Sequence, residues 1–270
     1  HSKIIKVDRL TGEQSDFITS HEYGYSPGVG VYIDNEQNHL YAIGGYFFLK
    51  DSLSSLFKFN LETGDLIQRY DMENTGAHFI NDLIPDRNGN FYITNTKDSS
   101  IYLLRNGSDQ FEFFFKSTEI QYPNGIAISD DNSKLYIATY SKGVRTLDIK
   151  TKKIINDIDT SGMSAGIDGL EFYNGNLFGL QYGVQANSHN FRKLILDESQ
   201  SKVIDIIEID ANNPELDLPL TFCIHDNQAV AIANSNIQYL DQRKFTFATP
   251  DSIELSKLKV YDLSNYWIII

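Results

Sequence analysis

The feature that most constrains this chain is a phrase that recurs with variation five times: a polar or Gly/Pro entry, an apolar run, a short turn and a second apolar run. It reads SPGVGVYIDNEQNHLYAIGG from Ser26, INDLIPDRNGNFYITNT from Ile80, YPNGIAISDDNSKLYIATY from Tyr122, GIDGLEFYNGNLFGLQYG from Gly166 and LPLTFCIHDNQAVAIANS from Leu218. Repetition at a period of roughly 43–53 residues predicts an array of small β-sheets, each one supersecondary unit. The residue entering each first strand serves as an anchor, giving Val29, Asn81, Asn124, Asp168 and Thr221. Each interval accommodates the four strands of a propeller blade.

The two ends of the chain show opposite deficits. KIIKVD (Lys3 to Asp8) and DFIT (Asp16 to Thr19), with LTG between them, read as the second hairpin of a blade whose first hairpin is absent. SKLKVYDLSNYWIII, from Ser256, aligns with DGLEFYNGNLFGLQY from Asp168 and supplies two strands with nothing after them. Joining the two pairs closes a ring and removes exposed sheet edges, which otherwise invite aggregation. The expectation is an all-β, six-bladed β-propeller with its closing blade shared between N- and C-terminal strands. Because the repeats run end to end, residues 1–270 form a single domain on this reading.

Charge narrows the partners. The chain carries 23 Lys and Arg against 36 Asp and Glu, a net −13, which argues against nucleic acid or an anionic membrane surface. No apolar run is long enough to span a bilayer. The one cysteine, Cys223, cannot form an intrachain disulfide, and in an apolar first strand with no Lys or Arg near it in sequence it reads as a buried, inert thiol. Nothing reads as a dimer seam, so a monomer is expected. Localisation stays open, because a leader removed ahead of His1 would make the protein secreted or periplasmic.

The strands IAIS, LYIAT, NFYITNT and EFFFK are rich in Ile, Tyr, Phe and Thr, and Asn, Asp and Gly fill the turns between them. Asp86, Asn88 and Asn90 mimic the first half of a calcium loop, but Phe91 stands where its glycine is required, so DRNGN reads as a hairpin turn. The anchors differ from these turns. In a propeller the innermost strand of each blade lines the central channel, and its entry end sits at one mouth. Asn81, Asn124 and Asp168 therefore gather oxygen ligands from three consecutive blades, the donor type that a hard cation such as Ca²⁺ requires. Taken singly, such residues also serve to cap backbone groups in an entry turn. Asp82, directly after Asn81, points to the other side of its strand and reads as a supporting or turn carboxylate.

INDLIPDRNGNFYITNT, YPNGIAISDDNSKLYIATY and GIDGLEFYNGNLFGLQYG resemble successive blade phrases of the gluconolactonase, regucalcin and paraoxonase superfamily of six-bladed propellers. The resemblance implies a divalent cation, most commonly Ca²⁺, at the channel mouth, where it polarises the carbonyl of a lactone or related ester. It places Asn124 and Asp168 on the family's metal-binding Asn and Asp, with Asp168 also a candidate general base, and Asn81 on a residue that contacts metal or substrate. It also implies a glutamate ligand in the closing blade, where the alignment puts Ser256; Glu254, two residues earlier, is the candidate additional ligand if the register shifts.

The implied function is metal-dependent hydrolysis of a small lactone or ester at the channel mouth. Asp168 takes the proton of the attacking water, or else His78, three residues before Asn81, does so. The rival reading is a non-catalytic propeller with a degenerate metal site, presenting its mouth or its loops to a ligand or protein. Insertions at Tyr46–Ser55, with the aromatic pair Phe47 and Phe48, and at Tyr182–Phe191 fit a lid or a binding surface equally well.

Overall fold

The computed structural model describes residues 2–46, 54–72, 78–182, 189–241, 246–247 and 253–266. The turn chemistry read from the phrases produces antiparallel hairpins throughout. An N-terminal hairpin pairs β1 (Ile4–Val7) with β2 (Gln14–Ile18). Blade 1 holds β3 (Gly28–Asp34), β4 (His39–Gly45), β5 (Ser54–Asn60) and β6 (Leu66–Asp71). Blade 2 holds β7 (Ile80–Pro85), β8 (Phe91–Asn95), β9 (Ser100–Leu104) and β10 (Phe111–Lys116). Blade 3 holds β11 (Pro123–Ile128), β12 (Lys134–Thr139), β13 (Arg145–Asp148) and β14 (Lys153–Ile154). Blade 4 holds β15 (Ile167–Tyr173), β16 (Asn176–Tyr182), β17 (His189–Leu196) and β18 (Val203–Ala211). Blade 5 is three-stranded, from β19 (Phe222–His225), β20 (Gln228–Ile232) and, after the small pair β21 (Leu240–Asp241) and β22 (Thr246–Phe247), β23 (Leu258–Asp262).

The architecture is a β-propeller of five blades plus the N-terminal hairpin, so the expectation of six blades with a shared closing blade is corrected. The C-terminal segment does not cross to the N-terminal strands. β23 pairs with β20, with Val230 opposite Val260 and Ala229 opposite Tyr261. Its side chains explain the choice. Tyr261 packs on Phe191 with ring centroids 4.8 Å apart, and its hydroxyl donates to Asp210 Oδ2 at 2.8 Å. Lys259 Nζ pairs with Asp210 at 3.4 Å and with Glu215 at 2.7 Å. These contacts to blade 4 hold β23 on the near sheet. Ser256 precedes β23 and enters no closing blade.

Apolar faces pack blade on blade, each buried Leu, Ile or Phe contributing about 1.5–3 kcal/mol. Tyr41, Ile43 and Leu56 of blade 1 meet Leu83, Phe91 and Ile93 of blade 2. Tyr92 and Leu103 meet Ile126, Leu135 and Ile137 at the next junction, Tyr136 and Ala138 meet Leu170, Leu177 and Leu194 at the third, and Phe178, Leu180 and Phe191 meet Phe222, Ala229 and Tyr261 at the fourth. The hairpin covers blade 1 from the other side, through Ile4, Phe17 and Ile18 on Leu40, Ala42, Phe57 and Phe59.

A shared irregularity marks the channel end of the inner strands. Registers shift between Gly28 and Val31, Ile80 and Leu83, Pro123 and Ile126, and Ile167 and Leu170. Such bulges bend a strand and re-aim its side chains. Glycine in the bulge permits the next blade to come close: a Cβ on Gly125 would lie 2.3 Å from the Asp168 carbonyl oxygen and 2.8 Å from the Leu170 nitrogen. A Cβ on Gly30 would lie 2.6 Å from the Asn81 carbonyl oxygen. In blade 5 the pairing of Phe222 with Ala231 slips the anchor, so that Leu220, whose carbonyl accepts from Gly169 N at 2.8 Å, stands nearest to the Asn and Asp anchors.

Gly125→Ala forces backbone against backbone and is expected to cost about 3 kcal/mol, at the upper end of ordinary overpacking. Gly107→Ala, in a turn at φ 80° with open space around it, is expected to cost about 1 kcal/mol through backbone strain alone. Urea unfolding of both variants checks the order; equal midpoints would contradict the close approach of β11 and β15.

Candidate functional site at the channel mouth

The bulges carry one polar side chain on each of three adjacent blades, Asn81, Asn124 and Asp168. The Asn124 side-chain amide donates to Asp168 Oδ1, linking blades 3 and 4. Asn81 Nδ2 donates to Thr96 Oγ1 at 3.0 Å, and that hydroxyl donates on to the Pro123 carbonyl at 2.7 Å. The nitrogens of both amides are thereby engaged, while among the described residues no donor bonds to Oδ1 of Asn81 or of Asn124. The anchor residues read from the sequence are thus brought to neighbouring inner strands at one register.

Asp82 stands where the other bulges carry glycine. Its Oδ2 accepts from Ile126 N at 3.0 Å and its Oδ1 from Leu83 N at 2.9 Å, so the carboxylate bridges blades 2 and 3. This is the supporting role read for it. Thr94 completes the junction, donating to the Asn124 carbonyl at 2.8 Å.

Two residues that sequence reasoning passed over join the site. Glu171 occupies an inner-strand position filled by Ile84 in blade 2 and Ala127 in blade 3, as its place opposite Phe178 shows. A carboxylate at a position held by apolar residues in sister repeats was the legible signal. Tyr182, at the end of β16, is the second; burial chiefly, and then the charge of Asp168, push its phenol up to about 12.

The electrostatics are one-sided. Crowding by protein raises Asp82 to about 6, against its two backbone hydrogen bonds. Burial, then the charge of Asp82, raises Asp168 to about 7, opposed only by the Asn124 hydrogen bond. Burial and the Asp82 charge raise Glu171 to about 8. All three keep partial access to solvent, and no basic side chain contributes to any of these shifts. The charge of Glu171 also reaches Tyr32 of blade 1 and Cys223 of blade 5, across the channel.

Among the described residues the remaining sequence candidates share no hydrogen bond with this cluster. His78 Nδ1 accepts from Asn95 Nδ2 at 2.9 Å, and its ring meets the Tyr102 ring edge-to-face at 5.9 Å; no hydrogen bond joins it to Asp168. Glu254 pairs with Lys257 at 2.5 Å, is 63 % exposed and lines a cleft of about 390 Å³ with Asp217 and Asn234. A further cleft of about 540 Å³ lies between Met163 and Arg192, and neither contains Asn81, Asn124 or Asp168. Cys223 is exposed on β19, which corrects the reading of a buried thiol. Phe47, Phe48 and the central parts of both insertions lie outside the described residues.

No group of three His, Cys, Asp or Glu side chains among the described residues is arranged to share a metal ion, so Asp82, Asp168 and Glu171 do not converge on one point. A site built from Asp168 and the two amide oxygens is of a different kind, with one carboxylate and otherwise neutral oxygens. Those donors are hard and oxygen-only, which suits Ca²⁺, and they point away from zinc.

The chain is a β-propeller by its structural likenesses as well as by its sheets. No protein-family model matches the sequence, and no curated protein does. Among solved structures, virginiamycin B lyase from Staphylococcus aureus, in a catalytically inactive form with quinupristin, matches 85 % of this chain and 70 % of its own at 14 % identity and TM-score 0.59. The nidogen/laminin complex matches 86 % and 82 % at 13 % identity and TM-score 0.62. The PQQ-bound aldose sugar dehydrogenase from Streptomyces coelicolor matches 96 % and 88 % at 12 % identity and TM-score 0.59. At these identities the likeness establishes the propeller fold alone.

The raised carboxyls make a pH prediction for metal-stripped protein. Their ordinary values are 3.8 and 4.5, and their folded values are about 6, 7 and 8. Across that window the folded chain holds protons that the unfolded chain releases, so their contribution to stability falls as pH rises. The melting temperature in EDTA is expected to drop between pH 5 and pH 8.5. Glu171→Gln should flatten the drop and raise stability at the alkaline end; a wild-type profile rising over this range would contradict the channel electrostatics.

Proposed function

We propose that the channel mouth binds a divalent cation, most readily Ca²⁺, and hydrolyses a small lactone or related ester. The observation carrying the reading is the geometry of the three adjacent bulges. Among the described residues, Asn81 and Asn124 have their amide nitrogens engaged and no donor on their carbonyl oxygens, beside an Asp168 carboxylate that no cationic side chain neutralises. The propeller likenesses include a lyase and a dehydrogenase, which supports an enzyme on this scaffold without specifying its reaction.

Asp168 and the Oδ1 atoms of Asn81 and Asn124 would hold the ion, and when bound it supplies Lewis-acid polarisation of a carbonyl. Thr96 fixes the Asn81 amide, and Asp82 fixes the distance between β7 and β11. With Oδ1 tied to Asn124, Asp168 Oδ2 is the oxygen left to receive the proton of the attacking water. Water oxygen bonds to the acyl carbon, the acyl C–O bond breaks, and the departing oxygen takes the proton that Asp168 received from the water, giving a hydroxy acid from a lactone or an acid and an alcohol from an ester. Asp168 is favoured over His78 as base because His78 is held by Asn95 and has no bond to the cluster. Glu254 has no part in the proposal, being turned to Lys257 at a separate cleft.

Calorimetric Ca²⁺ titration of stripped protein, followed by a lactone and ester panel, tests the reading. Asp168→Asn keeps the side-chain shape and is expected to abolish saturable binding and to lower hydrolysis at least 10²-fold. Glu254→Ala is expected to leave affinity unchanged. Hydrolysis at the parental rate in Asp168→Asn would overturn the mechanism, and absence of Ca²⁺ binding up to millimolar concentration would leave the non-catalytic reading.

A further inference from the structure

The second strand of each blade delivers one residue to the rim of the channel mouth, and in blades 3 and 4 that residue is tyrosine. Asn95, Thr139 and Gln181 pair with the residues that open their bulges, Ile80, Pro123 and Ile167, so the residues that follow them, Thr96, Tyr140 and Tyr182, are equivalent. In blade 2 this place belongs to the mouth. Thr96 Oγ1 accepts from Asn81 Nδ2 at 3.0 Å and donates to the carbonyl of Pro123, the residue before Asn124, at 2.7 Å. Side chains two apart in a strand share a face, so Tyr140 follows Ala138 on the side that faces blade 4. Its carbonyl accepts from Gly166 N at 2.9 Å, two residues before Asp168.

Tyr140 is 50 % exposed, and Tyr122, which stands across from it beyond the Pro123–Thr139 pair, is 56 % exposed. Packing requires neither ring. Local conformation disfavours one of them: Tyr122 has φ 53° at the place where blade 4 has Gly166 at φ 68°, a region that bulky side chains rarely occupy. Tyr182 completes the group. Burial first, and then the charges of Asp168 and Tyr140, act on its phenol, so both lie within its electrostatic reach.

The chemistry of this wall is one-sided. The amide nitrogens of Asn81 and Asn124 are engaged, and no basic side chain contributes at Asp168 or at Tyr182. Of the lysines beside the rim, Lys97 follows Thr96 and turns to the opposite side, and Lys142 Nζ donates to the Thr118 carbonyl at 2.6 Å. An anion would meet carboxylate here. The face of an aromatic ring attracts positive charge through its quadrupole, and a neighbouring carboxylate adds to the attraction. A hydrogen-bonding ammonium is served by carboxylate alone, whereas rings serve a cation whose charge is spread over alkyl groups.

We propose that Tyr140 and Tyr182, with Tyr122 and the Asp168 carboxylate beside them, bind an alkylated ammonium group at the rim of the channel mouth. The rim site needs no metal. It draws on the Asp168 charge that Ca²⁺ would also use, so titrations in EDTA keep the two cations apart.

Choline is the probe, and 3,3-dimethyl-1-butanol, in which carbon replaces the nitrogen, offers the same shape without the charge. Ligand-observed NMR titrations use the intact chain in EDTA. Choline is expected to saturate, with affinity about tenfold or more above that of the neutral isostere. Tyr140→Leu and Tyr182→Leu should each weaken choline about fivefold, whereas Tyr140→Phe, which keeps the ring and drops the hydroxyl, should stay within about twofold of the parent. Equal affinity for choline and its isostere overturns the proposal, since it leaves an apolar contact only. So does loss of binding in a Tyr140→Phe variant that melts at the parental temperature, which would assign the contact to the phenol oxygen, and so does failure to saturate in the tens of millimolar. Saturable Ca²⁺ binding without choline binding sinks this inference and leaves the channel-mouth ion standing; choline binding without Ca²⁺ binding supports the rim and sinks the ion.

Discussion

The close approach of neighbouring inner strands at the channel mouth is the constraint on which the rest of this propeller depends. At Gly30, Gly125 and Gly169 the following blade's backbone comes so near that a Cβ would stand within about 3 Å of main-chain atoms, a distance real side chains avoid. Each glycine sits in a bulge, and the residue before it is turned toward the axis. The packing requirement and the functional geometry are therefore one device. Bringing the blades together at this radius is what converts Asn124 and Asp168 from entry-turn residues into neighbours across a channel. Where glycine is replaced, by Asp82, the junction is held by a carboxylate bridge to Ile126 N, and the bridge adds a second negative charge beside the first.

That charge has consequences for Asp168 and Glu171. Neither has a basic partner, and Asp82 appears in the balance of both as the cause second to burial. A cluster of this sort opposes its own ionisation, and protonation or a bound cation relieves it. The amide oxygens of Asn81 and Asn124, left without donors, add polar acceptors to the same surface. Structural carboxylates in turns behave oppositely here: Asp8, Asp131 and Asp148 are pulled down by the hydrogen bonds of their own loops, Asp131 to about 2. The contrast separates carboxylates that serve the backbone from those that serve the channel.

The blades were legible in the sequence because their determinants are local. Alternating apolar runs, Asn-Gly and Asp-Asn turns, and the N-G and D-G pairs at the bulges all lie within a single phrase. The anchors Asn81, Asn124 and Asp168 followed from the same pattern. The closure of the ring was not legible. Aligning SKLKVYDLSNYWIII with another repeat gave two strands of a closing blade, whereas one strand forms at Leu258–Asp262, a 3₁₀ turn follows at Leu263–Tyr266, and the strand joins β20, because the choice of sheet rests on Tyr261 and Lys259 meeting Phe191, Asp210 and Glu215, contacts that no local pattern encodes. Glu171 was overlooked for a related reason: its meaning depends on comparison with Ile84 and Ala127 at the same register. His78 lay near the anchor in sequence, but Asn95, from the end of β8, holds its ring.

The unequal junctions bear on the channel as well as on the rim. The N-terminal hairpin is bound to blade 1 by a buried apolar cluster, whereas a solvent-exposed side-chain bond from Arg9 to Gln228 reaches blade 5. Exposed polar contacts of that kind contribute about a kcal/mol or less, far below a packed sheet interface. Among the described residues the hairpin is therefore held more firmly to blade 1 than to blade 5. Cys223 is exposed on β19, whereas Tyr32 turns to the other face of blade 1, its ring 5.6 Å from that of Phe91; both feel the charge of Glu171.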